Sequence, residues 1–176
     1  AQSEKITLGT SGQAGGPHMT YLWMRAQTGL VLNEVTYKGG GPAMADAVGG
    51  QIQLVFTSLA AGIPFVKSGR LKALGVTSAS RHPAMPDIQT FHEAGLKDIA
   101  VLLWYGVLAP AGTPRDIVAI LNREIAKSLQ APDVRERFAA LALDISPGGP
   151  EEFRSLPDRA LKLWPGVIAQ SNEPLQ

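Results

Sequence analysis

Hydroxyl, glycine and lysine residues gather where short apolar runs end. Thr10-Ser11-Gly12-Gln13 follows the run Lys5–Gly9, and Tyr37-Lys38-Gly39-Gly40-Gly41 follows Leu32–Thr36. Thr57-Ser58 closes Gln51–Phe56, and Thr77-Ser78 closes Leu71–Val76. Such residues offer neutral donors, one cation and glycine backbone that a ligand can approach closely. Together with the positive ends of the helices that follow, they suit a small anion such as a carboxylate. Each Ser-Thr pair alone is also explained as a turn or helix cap. The expectation of a site rests on their recurrence along one edge.

Other chemistries fit poorly. A phosphate-binding loop needs its lysine after the glycines, whereas Lys38 precedes Gly39-Gly40-Gly41. Gly12, Gly15 and Gly16 lack dinucleotide-fingerprint spacing, and Gln13 stands where a nucleophile elbow requires glycine. The chain has no cysteine, and His18, His82 and His92 lack metal-ligand spacing. No catalytic residue, metal site or cofactor is expected. For His18, beside Pro17 at a helix start, a ring hydrogen-bonded to backbone is the simplest expectation.

The elements that must carry these residues alternate. Between the four strand-like runs lie helical stretches at Pro17–Thr28, Pro42–Val48 and Pro64–Lys67. In the first, Met19, Leu22, Trp23 and Ala26 recur at helical spacing, and Gly29 is a natural stop. Alternation of strand and helix predicts an α/β unit with a mainly parallel sheet, whose ligands bind beyond the carboxyl ends of the strands. His82–Asp98 is proline-rich and polar, a surface connection. Ile99–Ala109 is an apolar strand-like run bearing Trp104 and Tyr105, and Leu143–Ile145 is a weak strand.

Beyond Ala109, Thr113 is an expected helix cap, with Ile117, Ile120, Leu121, Ile125 and Leu129 on one helical face. A short helix follows from Pro132, and Gly148-Gly149-Pro150-Glu151-Glu152 opens a last helical segment that Pro157 and Pro165 should break. Two units are expected, 1–100 and 101–176. The second has more apolar helix faces than strands to cover.

Composition narrows the classes. Hydrophobic residues at 45% and charged residues at 18% are those of a folded globular chain. A formal net charge of +1 supplies no basic face for nucleic acid. The apolar runs are too short to span a bilayer.

In order, several motifs resemble the Bug-type receptors of tripartite tricarboxylate transporters. They are Thr7-Leu8-Gly9-Thr10-Ser11-Gly12 with His18, and Thr36-Tyr37-Lys38-Gly39-Gly40-Gly41-Pro42-Ala43. Gly69-Arg70-Leu71-Lys72-Ala73-Leu74, Glu93-Ala94-Gly95, Trp104-Tyr105-Gly106, Ala109-Pro110-Ala111-Gly112-Thr113-Pro114 and Pro150-Glu151-Glu152-Phe153 continue the series. The likeness implies a periplasmic-binding-protein-like fold of the type II Venus-flytrap kind. In that fold, residues 1–100 form the second, ligand-binding lobe. Residues 101–176 form a hinge strand and the helical return into an incomplete first lobe.

It further implies a periplasmic receptor that captures a small organic acid for the transporter's membrane subunits. The site residues it implies are Ser11, Gly12, Gln13 and the loop to His18, then Tyr37, Lys38 and Gly39, then Thr57 and Ser58, where members often carry Asp-Asn, and Thr77. Members begin with a strand, glycine loop and helix that have no counterpart here, so a truncated receptor that self-associates through its C-terminal helices is expected. Two competing readings are a sensing module like the effector half of LysR-type regulators and an α/β hydrolase-like enzyme.

Overall fold

The computed structural model describes residues 5–96 and 101–171. Strand β1 (Thr7–Ser11) leads to helix α1 (Gly16–Thr28), β2 (Asn33–Tyr37), α2 (Gly40–Val48), β3 (Leu54–Val55) and α3 (Leu59–Lys67). The strands form a three-stranded parallel sheet in the order β2-β1-β3. The register pairs Leu8 with Glu34, Thr10 with Thr36 and Ser11 with Tyr37. All three carboxyl ends therefore lie on one edge.

Side-chain alternation along β1 divides the helices between the two faces. Leu8 and Thr10, both fully buried, point to the α1 face, where Leu8 packs with Met19, Tyr21, Leu22 and Leu32. Full burial of a leucine is worth about 1.5–3 kcal/mol. Gly9 points the other way, where a Cβ would press on Ile52, Tyr37 and Ala43. A side chain there would displace the Ile52 and Tyr37 side chains, whereas Ala43 of α2 would sit at ordinary contact distance.

Tyr21 closes the α1–β2 connection, its hydroxyl accepting from the Leu32 N–H at 3.0 Å and donating to the Leu32 carbonyl at 3.2 Å. Helix α1 stops where expected, with Gly29 at φ 68° and its N–H on the Arg25 carbonyl.

The chain divides into two compact units. One runs to Leu103 and resumes at Trp164; the other is Trp104–Leu163. The boundary expected at residue 100 thus falls close by, but the chain's final stretch belongs with the first unit. There Trp164 meets Trp23 edge-on at 5.7 Å, and Val167 joins the core. The second unit contains α4 (Arg115–Ser128), α5 (Pro132–Ala140) and most of α6 (Pro150–Ser171). Within it Trp104 and Phe153 stack edge-on at 5.3 Å, and Asn122 donates to the Gly148 carbonyl.

Several expectations fail. Leu71–Val76 is not a strand: only Val76 finds a partner, an isolated bridge to Thr90. Apolar composition favours a strand, but a strand needs a neighbour along its length. Of the run Ile99–Ala109, positions 99 and 100 lie outside the described residues, and 101–109 have no regular structure. Leu143–Ile145 likewise forms no strand. Helix α3 begins at Leu59 rather than Pro64, because the Ser58 hydroxyl accepts the Ala61 N–H and starts the helix earlier.

Thr113 is not the α4 cap; its hydroxyl donates back to the Pro110 carbonyl and Pro114 occupies the cap position. Pro157 and Pro165 do not break α6, which is continuous. Each proline removes one helical hydrogen bond. Phe153 meets Trp104 before the first proline, and Val167 lies in the core after the second.

Candidate functional site

At the carboxyl edge β1 turns sharply into α1. Gly12 lies at φ 76° and Ala14 at φ 56°, and the Gly12 N–H donates to the Tyr37 carbonyl at 2.9 Å. A Cβ on Gly15 would come within 2.6 Å of the Ser11 carbonyl oxygen, so the turn closes only around glycine. Ser11 and Gly12 are half-buried and Gln13 is exposed.

The β2–α2 turn lies alongside. Tyr37 donates its hydroxyl to Asp46 Oδ2 at 2.7 Å, and this bond to a carboxylate is the main cause raising the phenol's pKa. Its role is to tie the turn to α2. Lys38 is exposed, and Gly39, at φ 120°, is the N-cap residue of α2. Thr57 reaches the same place: a Cβ on Gly40 would lie 3.6 Å from its hydroxyl. Ser58 is committed as the cap of α3.

The edge therefore gathers Ser11, Gly12, Gln13, Tyr37, Lys38, Gly39, Thr57 and Ser58. Two expected residues behave differently. No strand ends at Thr77, whose hydroxyl donates to the Val101 carbonyl at 2.6 Å. His18 is buried, and its ring bonds a carboxylate rather than backbone: Nδ1 is 2.7 Å from Glu34 Oε1. The buried Thr10 hydroxyl donates to that same oxygen at 2.5 Å. Sequence reasoning missed Glu34. The available signal was a single charged residue inside the otherwise uncharged strand-like run Leu32–Thr36.

The helix starts differ in charge. The first turns of α1, α2 and α3 hold no acidic residue, and α1 and α2 have no side-chain cap. In contrast α4 carries Asp116, α5 Asp133, and α6 Glu151 and Glu152. The positive ends at the sheet edge are thus left uncompensated by first-turn carboxylates, as suits an incoming anion. Among the described residues no cluster of three or more His, Asp or Glu could hold a metal.

Elsewhere Thr90 and Glu93 form a reciprocal cap. The Glu93 N–H donates to Thr90 Oγ1 and the Thr90 N–H to Glu93 Oε2, while Arg81 Nε donates to both carboxylate oxygens at 3.0 Å. The Arg81 hydrogen bond, then the Thr90 backbone, hold the Glu93 carboxyl below its ordinary pKa.

A parallel α/β unit with this edge is the architecture of periplasmic binding proteins. The family model described as tripartite tricarboxylate transporter family receptor matches residues 1–172, and the chain belongs to that family. It is 35% identical to the UPF0065 protein in the tcbD-tcbE intergenic region of Pseudomonas sp. (strain P51), over 94% of this chain and 50% of that protein.

A solved structure described as a periplasmic transporter superposes with a TM-score of 0.90 at 35% identity, covering 98% of this chain and 57% of the other. A protein of R. palustris solved with adipate superposes with a TM-score of 0.89 at 26% identity, covering 97% and 57%. The chain spans about half the length of the curated relative described.

Proposed function

We propose that this chain is the ligand-gripping portion of a periplasmic receptor that binds a small carboxylate and delivers it to the membrane subunits of a tripartite transporter. Binding is non-catalytic. The observation that carries the reading is the carboxyl edge, where two helix starts without first-turn acids converge with Ser11, Lys38 and Thr57. Family membership and the neighbour solved with adipate support an acid as the cargo. In this reading the first unit is the family's second lobe, and Ser11, Gly12, Gln13, Lys38 and Gly39 touch the acid. Tyr37, Ser58 and His18 shape the turns around it, and Thr77 stands apart. Self-association through the exposed helices of Trp104–Leu163 belongs to the same reading.

A thermal-shift and calorimetric panel of mono-, di- and tricarboxylates tests it. One acid should stabilise the protein by about 2.7 kcal/mol at roughly 100 times its Kd. Ser11→Ala combined with Lys38→Ala should remove that gain, and the acid should be recovered unchanged. Binding that survives the double substitution overturns the site, and failure of every acid overturns the function. A strict monomer in concentrated sedimentation runs removes the self-association.

A further inference from the structure

We infer that Glu34 is a positioning residue: a buried carboxylate that locks the first turn of α1 against the strand ends and so sets the geometry of the Ser11–Gly15 turn. The inference rests on the proposed carboxylate grip for its consequence, though the lock itself is a matter of folded geometry.

Glu34 enters from the second place of β2, opposite Leu8, and its carboxylate reaches along the α1 face toward the carboxyl edge. One oxygen, Oε1, receives two groups. The Thr10 hydroxyl comes from β1, one residue before the turn, and His18 Nδ1–H from the third position of α1, just after it. The turn Ser11–Gly15 is therefore held at both flanks by a single atom on a neighbouring strand. Backbone bonds complete the frame: Gly12 N–H to the Tyr37 carbonyl, and Met19 N–H to the Gly15 carbonyl, each 2.9 Å.

The side chains of His18 and Glu34 are only 7% and 9% exposed, and Thr10 is fully buried. Sinking a carboxylate there is costly, so an apolar residue would pack α1 on the sheet at least as well. A buried network of this kind specifies one geometry more than it adds stability, and losing one member costs each of the others a hydrogen bond. What it specifies here is the turn that presents backbone N–H groups at the sheet edge.

The test compares Glu34→Leu, Glu34→Gln and Leu22→Ala, reading adipate affinity and amide hydrogen exchange at Gly12 and Met19. Glu34→Leu removes the acceptor. It should weaken adipate binding about tenfold and speed exchange at Gly12 and Met19 beyond any change at Arg25–Thr28. Glu34→Gln keeps a carbonyl oxygen for both donors and should recover most of the affinity. Leu22→Ala loosens the same helix from its core and should lower the melting temperature while leaving the folded protein's affinity unchanged.

If Glu34→Leu does not fold, Thr10→Val removes one donor at nearly constant shape and is read the same way. Affinity and exchange at Gly12 and Met19 equal to the parent's overturn the inference, as does acceleration spread evenly along α1. Should the parent itself bind no acid, the proposed function fails, and the exchange pattern still decides whether Glu34 holds the turn.

Discussion

The two units of this chain solve the problem of stability differently. The first surrounds its sheet with helices and buries Leu8, Met19, Tyr21, Leu22 and Val167. In the second no described residue is buried. Tyr105, Val107 and Leu108 are 79%, 77% and 78% exposed, and the apolar stripe of α4, Ile117, Ile120, Leu121 and Ile125, is open to water as well. Acidic first turns make the α4–α6 starts electrostatically self-sufficient. In α1 and α2 that compensation is missing although their unit is the well-packed one. Stability and charge neutrality are therefore distributed oppositely, and a fold tolerates uncompensated helix ends where a real core holds them in place.

Substitutions can break or sharpen this contrast. Leu22→Ala, in the first unit's core, should cost about 2–5 kcal/mol in denaturant unfolding. A loss below about 1 kcal/mol would mean that the core is not what holds α1. Tyr21→Phe removes a hydroxyl that serves both the N–H and the carbonyl of Leu32, and should cost about 1–3 kcal/mol. At dilutions where the chain is monomeric, Ile120→Ala in α4 should change unfolding by less than about 1 kcal/mol, as expected for a partly exposed stripe. A larger loss would show that the stripe is covered in solution.

The smallest effect concerns acid. Glu93 has its carboxyl pKa lowered in the fold, so its contribution is present above the ordinary carboxylate pKa and fades as pH falls through the folded value. Glu93→Gln should flatten the acid limb of a melting-temperature profile. An unchanged acid limb would show that the Arg81 pairing does not contribute.

Local signals made the first unit legible and long-range ones did not. The helix over 17–28 was readable because Pro17 and Gly29 bracket a periodic run. The sheet edge was readable because parallel strands expose their carboxyl ends together. Glu34 was not, since its importance depends on register: only pairing with Leu8 brings it beneath Thr10 and beside His18. Leu71–Val76 and the stretch 101–109 misled for the converse reason. Their residues favour strands, but strand formation is decided by a partner elsewhere. Pro157 and Pro165 misled because the penalty of a proline is local, and α6 continues through both.

The missing side chain at Gly15 bears on how such a receptor diversifies. With the Ser11 carbonyl 2.6 Å from where a Cβ would stand, the floor of the turn is closed to mutation. Drift in cargo preference must then act through outward positions such as Gln13 and Lys38. Those can change size and charge while the backbone beneath them stays as it is.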